Sequence, residues 1–232
     1  MASAMTRLCL AVTVSVGSIG FAQAVTVSSS FDAGLSGWGQ TFNDNGSTNV
    51  WVASGGNPGG YLQSDDSIDG WGYVVAPAAF VVAGMGNGSS LSFDLRSVSP
   101  PGDPAVFGVR VAFSGAGLNF INQTVLPTTA WANYGFSFVA STGWRLVSDL
   151  NQNYDAGGTV PTTAQFAAGL AGLSGLYIAA DYTDGNTANG RLDRTEIDNV
   201  VLIAVPELPR AASMLAGLLG LGALLLRRHR AR

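Results

Sequence analysis

The chain contains no lysine, and the eleven basic residues among its 232 are all arginine. It has one cysteine, Cys9, one histidine, His229, and charged residues make up only 11% of it. Between Val25 and Val205 there is therefore neither thiol nor imidazole, which leaves that stretch without disulfides, thiol nucleophiles, imidazole bases or Cys/His metal centres. With so little charge, its solvated surface must be built mainly from Ser, Thr, Asn and Gln. The same stretch carries five arginines against fourteen acids, all aspartates except Glu196, a net charge of −9. Such a domain repels phosphate backbones, which argues against nucleic-acid binding.

An apolar run stands at each end of the chain. Arg7 precedes an uncharged, mainly apolar run over 8–21, followed by Ala22-Gln23-Ala24. This is the order of a secretory signal, so residues 1–24 are expected to be removed by signal peptidase, leaving Val25 as the first mature residue. The residues before Cys9 are Thr6, Arg7 and Leu8, not the small residues that precede a lipidated cysteine. At the other end, Arg210 and Arg227 bracket an uncharged stretch over 211–226, and Arg227, Arg228, His229, Arg230 and Arg232 follow. A helix there would be roughly 24 Å long, and bordering arginines that snorkel would help it to cross a membrane of about 30 Å. The positive-inside rule places the 227–232 tail in the cytoplasm and the rest of the chain outside.

Immediately before that helix stand Val205, Pro206, Glu207, Leu208 and Pro209. The motif, the short helix and the terminal Arg cluster resemble the PEP-CTERM sorting signal read by exosortases in Gram-negative bacteria, with the second proline one position late. The resemblance covers 205–232 and implies an exosortase as partner. It further implies an inner-membrane-anchored precursor whose domain stands in the periplasm, then release to the cell surface or an exopolysaccharide matrix.

The remaining segment, 25–204, is long enough at about 180 residues for one domain with a real core. Its pattern is short β-like runs between Gly, Asn, Asp, Ser and Pro. Strands are expected at 25–29, 50–53, 61–63, 72–75, 89–95, 107–114, 118–124, 134–138, 176–182 and 196–203, with one helix over 162–170 capped by Thr162 or Thr163. This predicts an all-β, jelly-roll-like antiparallel β-sandwich. Trp38, Trp51, Trp131 and Trp144 are assigned to its core, because large rings dominate burial in a sandwich.

Several blocks resemble the laminin B (laminin domain IV) family. They are Phe31-Asp32-x-Gly34-Leu35-x-Gly37-Trp38, Gly55-Gly56-Asn57-Pro58-Gly59-Gly60-Tyr61-Leu62, Val75-Ala76-Pro77-Ala78-x-Phe80 and Leu91-Ser92-Phe93-Asp94-Leu95-Arg96, with Asp198-Asn199-Val200 near the end. The resemblance implies a sandwich akin to carbohydrate-binding modules and no catalytic activity. Read from the residues alone, Gly55 to Gly60 is a tight connector that delivers Tyr61 and Leu62 into a strand.

Three groups of acids are candidate sites. Asp32, just after the first strand, and Asp198, in the last, would hold a structural Ca²⁺ with main-chain carbonyls if those strands are neighbours; otherwise both face water. Asp65, Asp66 and Asp69 stand beside Trp71, a ring and three acceptors that suit a sugar, or a solvated acidic loop with Trp71 in the core. Asp181, Asp184 and Asn186, with Asn189, Asp193, Glu196 and Asp198 downstream, are rich in oxygen but lack EF-hand spacing and read as a turn-rich loop, a metal site being the alternative. The expected function is a non-catalytic surface or matrix module that binds a polysaccharide. The alternatives are a carboxylate-dependent glycoside hydrolase, which needs two acids flanking a cleft, and a purely structural surface protein.

Overall fold

A computed structural model describes residues 23–39, 48–66, 71–98, 105–151, 157–183 and 193–207. The expected signal segment over 1–22, the apolar helix, Leu208, Pro209 and the Arg tail lie outside the described residues, as do Asp69, Asp184, Asn186, Asn189 and the side chain of Asp66. Among the described residues no helix is long and apolar enough to cross a membrane. All of them fall within one compact unit, Ala22–Glu207.

Chain order gives β1 (Val25–Ser29), β2 (Thr48–Val52), β3 (Tyr61–Asp66), β4 (Tyr73–Val75), α1 (Ala78–Val81), β5 (Ser89–Ser97), β6 (Arg110–Gly115) and β7 (Leu118–Gln123). There follow β8 (Ala132–Phe138), β9 (Arg145–Val147), α2 (Thr163–Ala171), β10 (Leu173–Ala179) and β11 (Asp193–Ala204). They form two antiparallel sheets, one in the order β2-β3-β11-β5-β8 with β1 also on β11, the other in the order β4-β10-β6-β7-β9. This is the β-sandwich that the sequence pattern predicts.

Alternation decides which way each strand faces. In β5, Leu91, Phe93 and Leu95 are fully buried, and in β8 Tyr134, Phe136 and Phe138 alternate with half-exposed or exposed residues. The two strands pair with Phe93 opposite Tyr134 and Leu91 opposite Phe136, so one face of this sheet is apolar and the other is largely Ser, Asn and charged residues. The second sheet contributes Phe113 and Phe120, stacked at 4.5 Å between ring centroids. Phe138 of the first sheet lies 5.8 Å from Phe113, and Trp144 and Phe166 pack edge-on to it at 5.1 and 5.5 Å. Phe166 comes from α2, which begins on a capping box: the Thr162 hydroxyl accepts from the Gln165 N–H while the Gln165 side chain accepts from the Thr162 N–H. Thr162, rather than Thr163, is thus the cap.

Two core assignments need correction. Trp38 and Trp144 are buried, but Trp51 is 38% exposed and Trp131 is half-buried. Trp51 sits on β2, the edge strand of its sheet among the described residues. Trp131 lies just before β8 and packs on the outward side, edge-on to Tyr61 at 5.7 Å and beneath the Arg96 guanidinium at 4.6 Å.

β11 is the strand that organises the first sheet. Its first half pairs with β3, from Asp193 opposite Asp66 to Ile197 opposite Leu62, and its second half pairs with β1, from Val200 opposite Ser29 to Ala204 opposite Val25. Where it changes neighbour, its pairing with β5 slips between Asp198 and Val201, and Asn199 takes a φ of 49°. This bulge bends the strand and turns Asp198 and Asn199 toward the Gly55 to Gly60 turn.

Candidate functional site

The bulge gathers the first acidic candidate. Asp198 is fully buried and accepts the Asn57 N–H at 2.6 Å and the Asn199 N–H at 2.7 Å. The Asn199 side chain donates to Asp94 at 2.9 Å and to the Asn57 carbonyl, and Asn133 donates to the other oxygen of Asp94 at 2.9 Å. Burial raises the Asp198 pKa above its ordinary 3.8; the two N–H donors oppose that shift, and the nearby charges of Asp94 and Asp32 add to it. Asp32 approaches the same turn from the end of β1, with Ser30 donating to one oxygen at 2.7 Å and the other lying against Gly59. The turn, which contains a cis Asn57–Pro58 bond, thus stands between Asp32 and Asp198.

Gly56 shows how closely oxygen atoms crowd there. A Cβ at that position would lie 2.7 Å from Asp198 Oδ2 and 3.0 Å from the Gly59 carbonyl oxygen, and would meet the Gly60 carbonyl oxygen as well. Hard oxygen donors around one point fit a Ca²⁺ ion better than any nitrogen- or sulfur-seeking metal. Among the described residues no three acids or imidazoles gather at metal-binding distance, so a cation here would draw on Asp198 and Asp32 together with main-chain carbonyls.

The structure parts the members of the second candidate. Asp65 lies on the outward face of the first sheet, where Arg194 donates to both its oxygens at 2.7 and 3.2 Å and Gln63 donates at 2.8 Å. Beside that pair on β11, Glu196 accepts from Arg96. Trp71 is elsewhere: it is buried, 4.8 Å from the Phe107 ring, with the Arg110 guanidinium 3.3 Å above its centroid. In the third group, Asp181 and Asp193 hold a turn, the Thr183 N–H reaching both at 3.2 Å and the Tyr182 N–H reaching Asp193 at 2.9 Å.

Following Arg110 leads to a surface that the sequence reading did not single out. Pairing places Arg110 opposite Gln123, Ala112 opposite both Ile121 and Tyr177, and Ser114 opposite Asn119; Tyr177 is also opposite Val75, and Ile121 opposite Arg145. These residues share the face of the second sheet that points away from Phe113. Its chemistry is aromatic and hydrogen-bonding together. Tyr73 and Tyr177 meet edge-on at 6.1 Å, and Arg110 donates to the Tyr73 hydroxyl at 3.3 Å and to the side-chain amide oxygen of Gln123 at 3.1 Å. Tyr73 donates to the Leu150 carbonyl at 2.7 Å, Ser114 donates to Asn119 at 2.8 Å, and Asn119 donates to the Ser148 carbonyl at 3.3 Å. Burial pushes the Tyr73 phenol up against the lowering influence of Arg110, so it stays a neutral donor. Tyr73 and Arg110 are covered, whereas Tyr177, Gln123, Asn119 and Arg145 remain half-exposed. The available signal was an arginine between Val109 and Val111, and a tyrosine between Leu176 and Ile178, each alternating with core residues.

Of the five residues of the expected sorting motif, Val205, Pro206 and Glu207 are described; Val205 and Pro206 are half-buried and Glu207 is exposed. The Val205 N–H donates to the Ser89 hydroxyl at 2.9 Å.

Among solved structures, the chain is similar to the L4b domain of human laminin alpha-2, at 12% identity and a TM-score of 0.53, over 79% of this chain and 99% of that one. It is also similar to the family 11 carbohydrate-binding module of the cellulosomal cellulase Lic26A-Cel5E of Clostridium thermocellum, at 15% identity and a TM-score of 0.47, over 80% of this chain and 98% of that one. A further similar structure is the CBM22-1 xylan-binding domain from Paenibacillus barcinonensis Xyn10C, at 14% identity and a TM-score of 0.47, over 81% and 98%. The likeness to the laminin domain is one of fold, and the protein is a laminin-like β-sandwich. No family model and no curated protein matches the chain.

Proposed function

We infer that this protein is an exported, non-catalytic surface module that binds a polysaccharide on the outward face of the second sheet. The observation that carries this reading is the half-exposed Tyr177 ring, edge-on to the Tyr73 that Arg110 contacts, on the same sheet face as the half-exposed Gln123, Asn119 and Arg145. A sugar presents an apolar ring face and a rim of hydroxyls, and this surface offers a ring for the first and amides and a guanidinium for the second. Trp71 forms part of the backing as the partner of Arg110. The acids of the first sheet are already engaged, Asp65 with Arg194, Glu196 with Arg96, and Asp94 and Asp198 with amide donors, which favours binding over hydrolysis. A panel of extracellular polysaccharides is expected to yield a ligand whose affinity falls about tenfold or more in Tyr177→Ala, with no new reducing ends on incubation. Unchanged binding by the variant would remove this face, and released reducing ends would restore the hydrolase reading.

Export and sorting follow from the ends of the chain. Signal peptidase leaves Val25, a membrane helix over 211–226 holds the precursor, and an exosortase acts near Val205, Pro206, Glu207, Leu208 and Pro209. The β1–β11 pairing supports these boundaries, because Val25 lies opposite Ala204. Mass spectrometry of protein recovered from the producing cell is expected to find Val25 at the amino terminus and Arg232 missing. An intact Arg232 at steady state would mean a lasting anchor instead. Asp32 and Asp198, with the Gly59 and Gly60 carbonyls, would hold a Ca²⁺ ion whose charge offsets that of the three neighbouring aspartates and locks the turn to the bulge.

A further inference from the structure

The motif that the sorting reading depends on is not held out on a linker. β11 runs to Ala204, paired on one side with β1 and on the other with β5, where Leu202 faces Leu91 and Ile203 faces Ser90. The next residue is already Val205. Its N–H donates to Ser89 Oγ, a buried hydroxyl that also accepts the Gly86 N–H at 3.2 Å. Gly86 in turn lies directly beneath the chain. A Cβ there would stand 2.6 Å from Glu207 Cγ, 2.7 Å from the Val205 carbonyl oxygen and 2.8 Å from the Glu207 N. The stretch from Val205 to Glu207 therefore rests on the backbone of Gly86, at a closeness that only a residue without a side chain allows.

Any enzyme that cuts a peptide bond needs several residues on each side of it extended in its cleft and stripped of other partners, so a clamped segment is cut only through local opening. We propose that the fold shields its own sorting motif: Val205 to Glu207 is held closed by Gly86 and Ser89, and processing proceeds through transient release of the end of β11. The inference rests on the reading of 205–209 as a sorting motif, and it adds a control on it. Export alone would then not expose the motif, and folding of the sandwich would slow its own release.

The sequence supplies a clean probe. Glu196 and Glu207 are its only glutamates, so a glutamate-specific endoprotease has two places to cut. Glu196 lies in the middle of β11, paired with both β3 and β5, and reports global unfolding. With the full chain in membranes, cutting after Glu207 is expected to be slow in the wild type and about tenfold or more faster in Gly86→Ala and Ser89→Ala, with Glu196 uncut in all three. Gly86→Ala displaces the segment by collision and Ser89→Ala removes the acceptor, so agreement between them marks the clamp itself. Cutting of the wild type as fast as both variants, with Glu196 intact, would overturn the proposal. A second arm inserts a short Gly/Ser spacer between Ala204 and Val205 in the producing cell, where C-terminal trimming is expected to quicken several-fold. Equal trimming with and without the spacer would also overturn the clamp. Absence of trimming in both would overturn the sorting reading, and the endoprotease comparison would still decide the clamp.

Discussion

Trp144→Ala is expected to lower the stability of the sandwich by about 3–5 kcal/mol, and its melting temperature by roughly 6–20 °C for a domain of this size. The indole is fully buried and touches every layer of the core. It stacks with Phe138 of the first sheet at 5.0 Å, meets Phe113 of the second edge-on, and lies 5.5 Å from Phe166 of α2. Its N–H donates to the Ser137 carbonyl at 2.8 Å, so removal leaves an aromatic-sized cavity and takes one donor from that carbonyl, which keeps the Thr142 hydroxyl at 2.8 Å. Three elements, β6, β8 and α2, meet at this ring, and the two strands cannot collapse into the gap without losing their own pairing. Calorimetry of the variant tests the expectation. A fall of less than about 1 kcal/mol would show that the neighbouring rings repack, which would place the core elsewhere than around Phe113.

Asp198→Ala is expected to cost about 3 kcal/mol and to lower the melting temperature by roughly 6–12 °C. The carboxylate accepts the N–H groups of Asn57 and Asn199, one in the turn and the other in the bulge. Without it the turn loses its tie to β11, and Asn199 loses the interaction that holds it at a positive φ. Calcium adds a second, separable measurement. If Asp198 and Asp32 hold Ca²⁺, a saturating concentration of about one hundred times the dissociation constant stabilises the wild type by roughly 2.7 kcal/mol, and a chelator removes that gain. The alanine variant should be indifferent to chelator. A wild-type melting temperature unmoved by chelator would end the calcium reading while leaving the hydrogen-bond argument intact. Asp198→Asn offers a further contrast, since it keeps one acceptor and removes the charge that Asp94 and Asp32 crowd.

Much of the architecture was legible because alternation and turn chemistry are local. β1 falls where the run Val25 to Ser29 predicts it, and the helix falls where the sequence offers Thr162 or Thr163 as its cap, the capping box with Gln165 selecting Thr162. β9 was not legible: three residues after a tryptophan carry too little pattern, and only their pairing with β7 defines them. Similarly, β6 begins at Arg110 and not at Phe107, because Val109 bonds the loop carbonyl of Val125 and takes no part in the strand ladder.

The acidic candidates divide along the same line. Asp32 and Asp198 were chosen because first and last strands were expected to be neighbours, and β1 does pair with β11. That the Gly55 to Gly60 turn would stand between them depends on a bulge, which no residue pattern announces. Asp65 and Trp71 are six positions apart in sequence but belong to different sheets, since the chain leaves β3 on one sheet and enters β4 on the other. Spacing along a chain says little about proximity once it crosses between layers.

What the sequence determined by itself is the class of chemistry. Without lysine, thiol or imidazole in 25–205, and with a net charge of −9 there, the domain works with rings, amides, hydroxyls, carboxylates and a few guanidinium groups. Its two apolar ends gave an expectation of export and sorting that owes nothing to the fold. Only the tertiary structure decided which rings are open, why Tyr177 faces outward while Trp144 is sealed, and that Val205 to Glu207 lie on Gly86. The physical reason is that exposure and contact are set by strand register and by which sheet a strand joins. Those are properties of pairs of segments far apart in the chain, and no single segment contains them.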